Sequence, residues 1–174
     1  MSVCFEPDPA VTPEVRDGIC QLWADVSNAG GAVGFVPPVT PQDVRSHLLR
    51  HLTALAEGSA RLFLGRDAGG RVVATAFLTT NWHWMYTHWL WVSTVMVHPD
   101  LQGKGTGRAL MATVADAARG TDGIIGLRLT CRGGTGLDRF YASCGYREIG
   151  RAPRAIKLAD DDLRDDVTMW LDLG

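Results

Sequence analysis

Apolar residues fall at three- and four-residue intervals in two early stretches of the chain. Val3 to Phe5 reads as a short strand. Thr12-Pro13-Glu14 then supplies a helix start, with Thr12 as N-cap and Pro13 in the first turn. Ile19, Leu22, Trp23 and Val26 follow at helical spacing. The segment NAGGAVGFVPP, residues 28–38, breaks the pattern with three glycines and two prolines. Thr40-Pro41-Gln42-Asp43 restarts it, and Val44, Leu48, Leu49, Leu52 and Leu55 mark a second amphipathic face.

Beyond residue 60 the period shortens. ARLFLGR and RVVATAFLTT read as strands joined by Asp67-Ala68-Gly69-Gly70, whose glycines tolerate a tight hairpin. HWLWVSTVMVHP is a third strand ending at Pro99; in the hairpin region that leads into it, alternation makes Trp82 and Trp84 face one way, and Trp89 and Trp91 share a face on the next strand. From Gly105, the spacing of Leu110, Val114, Ala117 and Ala118 predicts a helix. IIGLRLTC then reads as a strand and LDRFYASC as a short helix stopped by Gly145. The stretches 146–150 and 167–171 read as further strands. This order predicts an α/β (α+β) fold: a mixed, mostly antiparallel central sheet of six to seven strands with about four flanking helices, residues 1–174 forming a single domain.

Composition narrows the function classes. With 174 residues, 46% of them hydrophobic, the chain suffices for one sizeable core. Its formal charge of −2 gives no basic field for nucleic acid or an anionic membrane. The start, MSVCFEPDPA, lacks the basic region and apolar core of a signal peptide, and no apolar run approaches a bilayer span, so the expectation is a cytoplasmic protein. Cys4, Cys20, Cys131 and Cys144 form no C-x-x-C pair and are expected as ordinary buried or half-buried thiols. Five aspartates within residues 160–166 lack the glycine and terminal glutamate of a calcium loop and read as a solvated turn, so no metal is expected.

The chemistry concentrates in HPDLQGKGTGRAL, residues 98–110. Gly103, Gly105 and Gly107 stand directly before a helix, where unpartnered amides and the helix dipole favour an anion and missing side chains let a phosphate approach. The nucleotide P-loop is excluded because Lys104 is followed by Gly105 rather than Ser or Thr. The dinucleotide fingerprint fails at Arg108. What matches is V-x-V-x-P-x-x-Q-G-x-G-x-G-R, carried by Val95, Val97, Pro99, Gln102, Gly103, Gly105, Gly107 and Arg108. This resembles the acyl-coenzyme-A motif of the GNAT superfamily of N-acetyltransferases. Phe140-Tyr141-Ala142-Ser143-Cys144-Gly145-Tyr146 resembles that superfamily's second signature, [LF]-Y-x-x-x-G-[FY], and GGAVGFVPP resembles the helix-linking segment of the tabtoxin-resistance type.

The resemblance implies acetyl-CoA as co-substrate and direct transfer to an amine. The pantetheine arm would pair with Val95, Met96 and Val97 in a wedge between the strand ending at Val97 and the strand of residues 124–131. The diphosphate would lie on the amides of Gln102, Gly103, Lys104, Gly105, Thr106, Gly107 and Arg108. Tyr141 stands where the family places its general acid. The strand glutamate that many relatives use as a base is missing, since residues 81–97 contain no carboxylate. His83 and His88 are the titratable candidates, with water-mediated proton removal as the alternative. The asparagine often found seven residues before the tyrosine is Gly134 here. Phe35, Trp82, Trp84 and Trp89 are candidates for an acceptor pocket, against core packing or a dimer surface. The expected activity is acetylation of a small-molecule amine such as an antibiotic, toxin or metabolite, with a homodimer as a family-level expectation. The alternatives are a protein N-terminal or lysine acetyltransferase and a non-catalytic acyl-CoA sensor.

Overall fold

The structure is a computed structural model that describes residues 3–174. Its elements in chain order are β1 (Cys4–Pro7), α1 (Pro13–Asn28), α2 (Pro41–Ala56), β2 (Ala60–Arg66), β3 (Val72–Thr79), β4 (Trp89–Val97), α3 (Thr106–Arg119), β5 (Gly126–Arg132), α4 (Leu137–Ser143), β6 (Arg147–Lys157) and β7 (Leu163–Asp172). The fold is α/β, with a seven-stranded, mostly antiparallel sheet in the order β1-β2-β3-β4-β5-β7-β6. The described residues form two compact units. One runs up to Thr80 and adds Val92–Val114; the other comprises Asn81–Trp91 and Ala115–Gly174.

In the first unit, β2 pairs antiparallel with β1 and with β3, through registers such as Phe5 opposite Gly65 and Phe63 opposite Ala76. The hairpin between β2 and β3 is held by Asp67, whose Oδ1 accepts from the amides of Gly69 and Arg71, while Gly70 takes φ of 81°. Both helix starts are capped as the sequence predicts. Thr12 Oγ1 accepts from the Val15 amide, and Thr40 and Asp43 form a reciprocal capping box. The apolar faces of α1 and α2 bury Ile19, Leu22, Trp23, Val44 and Leu48 against Leu62, Leu64, Phe77 and Met96 of the strands. Each fully buried Leu or Ile contributes about 1.5–3 kcal/mol. Leu49, expected on the same face, is exposed instead: one residue past buried Leu48, it is turned roughly 100° around the helix axis.

The loop from α1 to α2 is fastened at its neck. Asn28 Nδ2 donates to the Val39 carbonyl at 2.8 Å, and the Val39 amide donates back to Asn28 Oδ1 at 2.9 Å. Inside the loop, Trp23 Nε1 donates to the Val33 carbonyl at 2.7 Å, and Phe35 meets the Trp23 ring edge-on.

In the second unit β5 is central. It runs parallel to β4 from Trp89 opposite Gly126 to Trp91 opposite Arg128, and antiparallel to β7 along its whole length. β6 pairs with β7 and is exposed along nearly all of its length. With both faces in water, β6 needs no alternation of apolar residues, which is why only residues 146–150 read as strand. The aspartate run is not one turn: Asp165 and Asp166 lie in β7, where Asp165 pairs with Arg151. Residues 81–88 also depart from expectation. They form a loop with a single 3-10 turn at Trp84–Tyr86, so strand alternation does not apply to Trp82 and Trp84. Cys4 is exposed, against the expected burial, because it sits on the edge strand β1. No helix of the described residues is long and apolar enough to cross a membrane.

Candidate functional site

The residues singled out in the sequence fall into two groups, one in each unit. The first begins in β4. Met96 is buried in the core and Val95 and Val97 are half-buried. The His98 amide donates to the Val73 carbonyl at 2.8 Å, fixing the end of β4 against β3. A 3-10 turn at Pro99–Leu101 follows, and His98 Nδ1 accepts from the Asp100 amide. Gln102 Nε2 then reaches back to the Val97 carbonyl at 2.9 Å.

Gly103 takes φ of 71° and Gly105 of 86°, the left-handed region that L-residues avoid. A Cβ on either would have no heavy atom within 4 Å, so both face open space. The first bond of α3 runs from the Ala109 amide to the Gly105 carbonyl. The amides of Thr106 and Gly107 therefore precede the bonded turns, at the positive end of a 14-residue helix. Open backbone and helix-start amides form a surface suited to an anion, and Lys104 and Arg108 lie exposed in the same turn. Thr94, in β4, has φ of 50°. For a β-branched residue inside a strand this is a strained conformation. Its carbonyl accepts from Thr75 Oγ1, and its own Oγ1 lies 3.0 Å from His51 Nε2.

The second group centres on α4. Gly136, at φ of 81°, opens this short helix, and Tyr141 in it is only 6% exposed. Its ring meets those of Phe140 and Tyr146, and its carbonyl accepts from the Cys144 and Tyr146 amides. Burial pushes the Tyr141 phenol well above its ordinary range, so the side chain stays protonated. Tyr146 is likewise buried, and its hydroxyl has no partner among the described residues. Cys131 is pushed up to about 11 by burial, which removes thiolate character at neutral pH.

His83 and His88 belong to this unit too. His83 Nδ1 accepts from the Met85 amide, capping the 3-10 turn, and the rings of Trp82, Trp84 and Tyr86 surround it at 5.2–6.0 Å. His88 is exposed, and its carbonyl accepts from Ile125. The tryptophans divide. Trp82 and Trp84 are 94% and 77% exposed. Trp89 is buried against Trp91 and Trp170, with the Arg128 guanidinium over the Trp89 and Trp91 rings. Phe35 belongs to the first unit, packed between Trp23 and His47.

His51 and Thr94 are the functional candidates that sequence reasoning missed. His51 follows Leu48 by three residues and precedes Leu55 by four, which places a titratable ring on the buried face of α2. That spacing was a usable signal; nothing in the sequence marks the backbone of Thr94.

A family model for the acetyltransferase (GNAT) family matches residues 31–146. The chain belongs to that family, and is by family an acetyl-CoA-dependent acyltransferase. Solved structures share the fold. A protein provisionally named a phosphinothricin N-acetyltransferase is 19% identical, with 99% of each chain covered and a TM-score of 0.79. A Salmonella typhimurium protein provisionally named an acetyltransferase and solved with acetyl-CoA is 19% identical, with 100% of this chain and 95% of that one covered and a TM-score of 0.78. The ribosomal-protein-S18-alanine N-acetyltransferase of Escherichia coli is 17% identical, covering 99% and 95%, with a TM-score of 0.72.

Proposed function

We propose that this acetyltransferase acts on the amine of a small molecule, an antibiotic, toxin or metabolite, by direct attack in a ternary complex. The observation that carries the reading is the turn at Gly103–Gly107, whose left-handed glycines leave backbone amides open at the start of α3. Acetyl-CoA supplies the activated acyl group. The amides from Gly103 to Gly107 hold its diphosphate, since that of Gln102 donates to the Pro99 carbonyl; Lys104 and Arg108 add charge, and the backbone of Val95, Met96 and Val97 aligns the pantetheine arm as an added strand would.

Tyr141 serves the departing sulfur. A reference phenol near 10 is already a weaker acid than a thiol near 8.5, and burial widens the gap. Tyr141 therefore works chiefly as a hydrogen-bond donor that stabilises negative charge on sulfur, and the released thiolate equilibrates with solvent, where a thiol near 8.5 is mostly protonated at neutral pH. The acceptor must lose a proton, since an alkyl ammonium near 10 is mostly charged at neutral pH. His83 offers only Nε2 for that task, because Nδ1 holds the Met85 amide. His88 and ordered water are the other routes. The exposed rings of Trp82 and Trp84 supply flat apolar faces suited to a compact organic acceptor.

The test is calorimetric titration with acetyl-CoA, then thiol release with a panel containing phosphinothricin, nourseothricin, spermidine and a peptide with an N-terminal alanine. Coenzyme uptake and release with a non-peptide amine support the reading. Release with the peptide alone would move it to protein acetylation, and uptake without any release to the sensor role.

A further inference from the structure

Two observations in the first unit converge on one ring. Thr94 holds a left-handed conformation in the strand that leads into the glycine turn, and its hydroxyl lies 3.0 Å from His51 Nε2. The His51 imidazole is stacked on Phe77 with centroids 4.4 Å apart, and Trp23 lies at 6.0 Å. Trp23 in turn carries Phe35 of the glycine- and proline-rich loop. Ring contacts thus run from Phe35 of this loop through Trp23 to His51, whose Nε2 meets Thr94.

We propose that Thr94 and His51 form the proton exit for the acceptor amine, Thr94 meeting the amine and His51 positioned behind it as the terminal base. The inference rests on the acetyltransferase reading above and replaces His83 and His88 as base. As the amine attacks, an N–H bond breaks and its electron pair remains on nitrogen. The proton passes to Thr94 Oγ1, and the proton that Thr94 already carries passes to His51 Nε2. The relay needs a neutral imidazole protonated at Nδ1, with Nε2 accepting.

The surroundings favour that state. Burial pushes the imidazole below its ordinary value, and the Arg50 charge acts in the same direction. Trp23, Phe77 and Thr94 meet the ring from α1, β3 and β4, and none of them carries charge near neutral pH. His47, one turn earlier on α2, contacts Phe35. The strain at Thr94 has the same sense: the conformation that sends its hydroxyl to His51 is one that a threonine adopts only where surrounding contacts hold it.

The test uses the full chain with His51→Gln, Thr94→Val and Thr94→Ser. Nitrogen-15 NMR of the ring, with no acceptor present, should show His51 protonated at Nδ1 at pH 7.5 and titrating below 6.5; a proton on Nε2 overturns the proposal. With an amine that the panel shows to react, kcat/KM should fall by ~10²-fold or more in His51→Gln and Thr94→Val, within the range for general bases. Thr94→Ser should restore most of the rate. The inflection that His51 gives the kcat/KM profile should vanish in His51→Gln, leaving only the dependence set by the amine's own ionisation. A wild-type pH profile in His51→Gln, or a Thr94→Val enzyme as fast as the parent, overturns the proposal. Calorimetry separates the two readings: absent coenzyme uptake by the parent chain counts against the enzyme assignment, whereas normal uptake and turnover with an unaltered pH profile count against His51 alone.

Discussion

Gln102 is bonded to Val97: its Nε2 donates to the Val97 carbonyl at 2.9 Å, and this strap closes the turn between the end of β4 and the glycine-rich run. The glutamine of the motif thus shapes the loop through its side chain, while its backbone amide donates to the Pro99 carbonyl at 3.2 Å. A hydrogen bond of this kind contributes about 0.5–1.5 kcal/mol. Gln102→Ala is expected to weaken acetyl-CoA binding by roughly threefold to tenfold with little change in Tm. Calorimetry against thermal melts checks this; a loss beyond a hundredfold would mean that the side-chain carboxamide itself touches the ligand.

Gly105→Ala probes the backbone alone. No atom crowds its Cβ position, so the penalty comes from φ of 86°, about 1–2 kcal/mol for an L-residue. A Tm decrease of a few degrees is expected. Gly105→Val should strain the turn further and put methyl groups into the space assigned to the diphosphate, lowering coenzyme affinity at least tenfold. Equal affinity in Val and parent chains would remove the diphosphate from this turn.

Gly126 lies opposite Asp172 in the ladder of β5 and β7, and the indole of Trp170, two residues along β7, covers it: a Cβ at Gly126 would fall 2.0 Å from the indole Cζ2. The ring is rigid and is itself packed against Trp89, so it cannot simply swing aside. Gly126→Ala is expected to cost about 1–3 kcal/mol in urea unfolding. Adding Trp170→Leu should relieve part of that loss. If the single variant is as stable as the parent, the indole is not seated over Gly126.

Stability should also depend on His51. Its folded pKa is lowered by burial, so the unfolded chain takes up this proton more readily. Stability therefore rises with pH through the window from the folded value up to about 6.5, and the contribution is lost below it. Thermal melts between pH 5 and 7.5 should show a steeper acid decline for the parent than for His51→Gln. Parallel curves would mean that the ring titrates as it would in water.

The sequence was most informative where one local rule settles a feature. Thr12 caps its helix as its spacing predicts, Thr40 caps the restart that Thr40-Pro41-Gln42-Asp43 marks, and the Asp67–Gly70 turn joins two strands that are nearly continuous buried runs. The glycine turn was legible because positive φ demands a residue without a side chain. Residues 81–88 were not, since a short polar-aromatic loop and an alternating strand share one pattern, and only the 3-10 turn with its His83 cap decides between them. Only the first four residues of β6 were legible as strand because a strand exposed on both faces carries no periodicity. Thr94 was illegible for a deeper reason: contacts from residues 43 and 19 positions away in the chain hold a conformation that its own identity opposes.

The paired bonds between Asn28 and Val39 give the intervening segment the character of an exchangeable cassette. With its ends stapled to each other, its length and outer sequence can vary while α1 and α2 keep their seats, because lengthening a closed loop adds only a small entropic penalty. The inward anchors Val33 and Phe35 must survive any exchange, whereas Gly34, Val36, Pro37 and Pro38 face water and are free to diversify. Four outward positions can therefore be rewritten without α1 and α2 having to repack around each new choice.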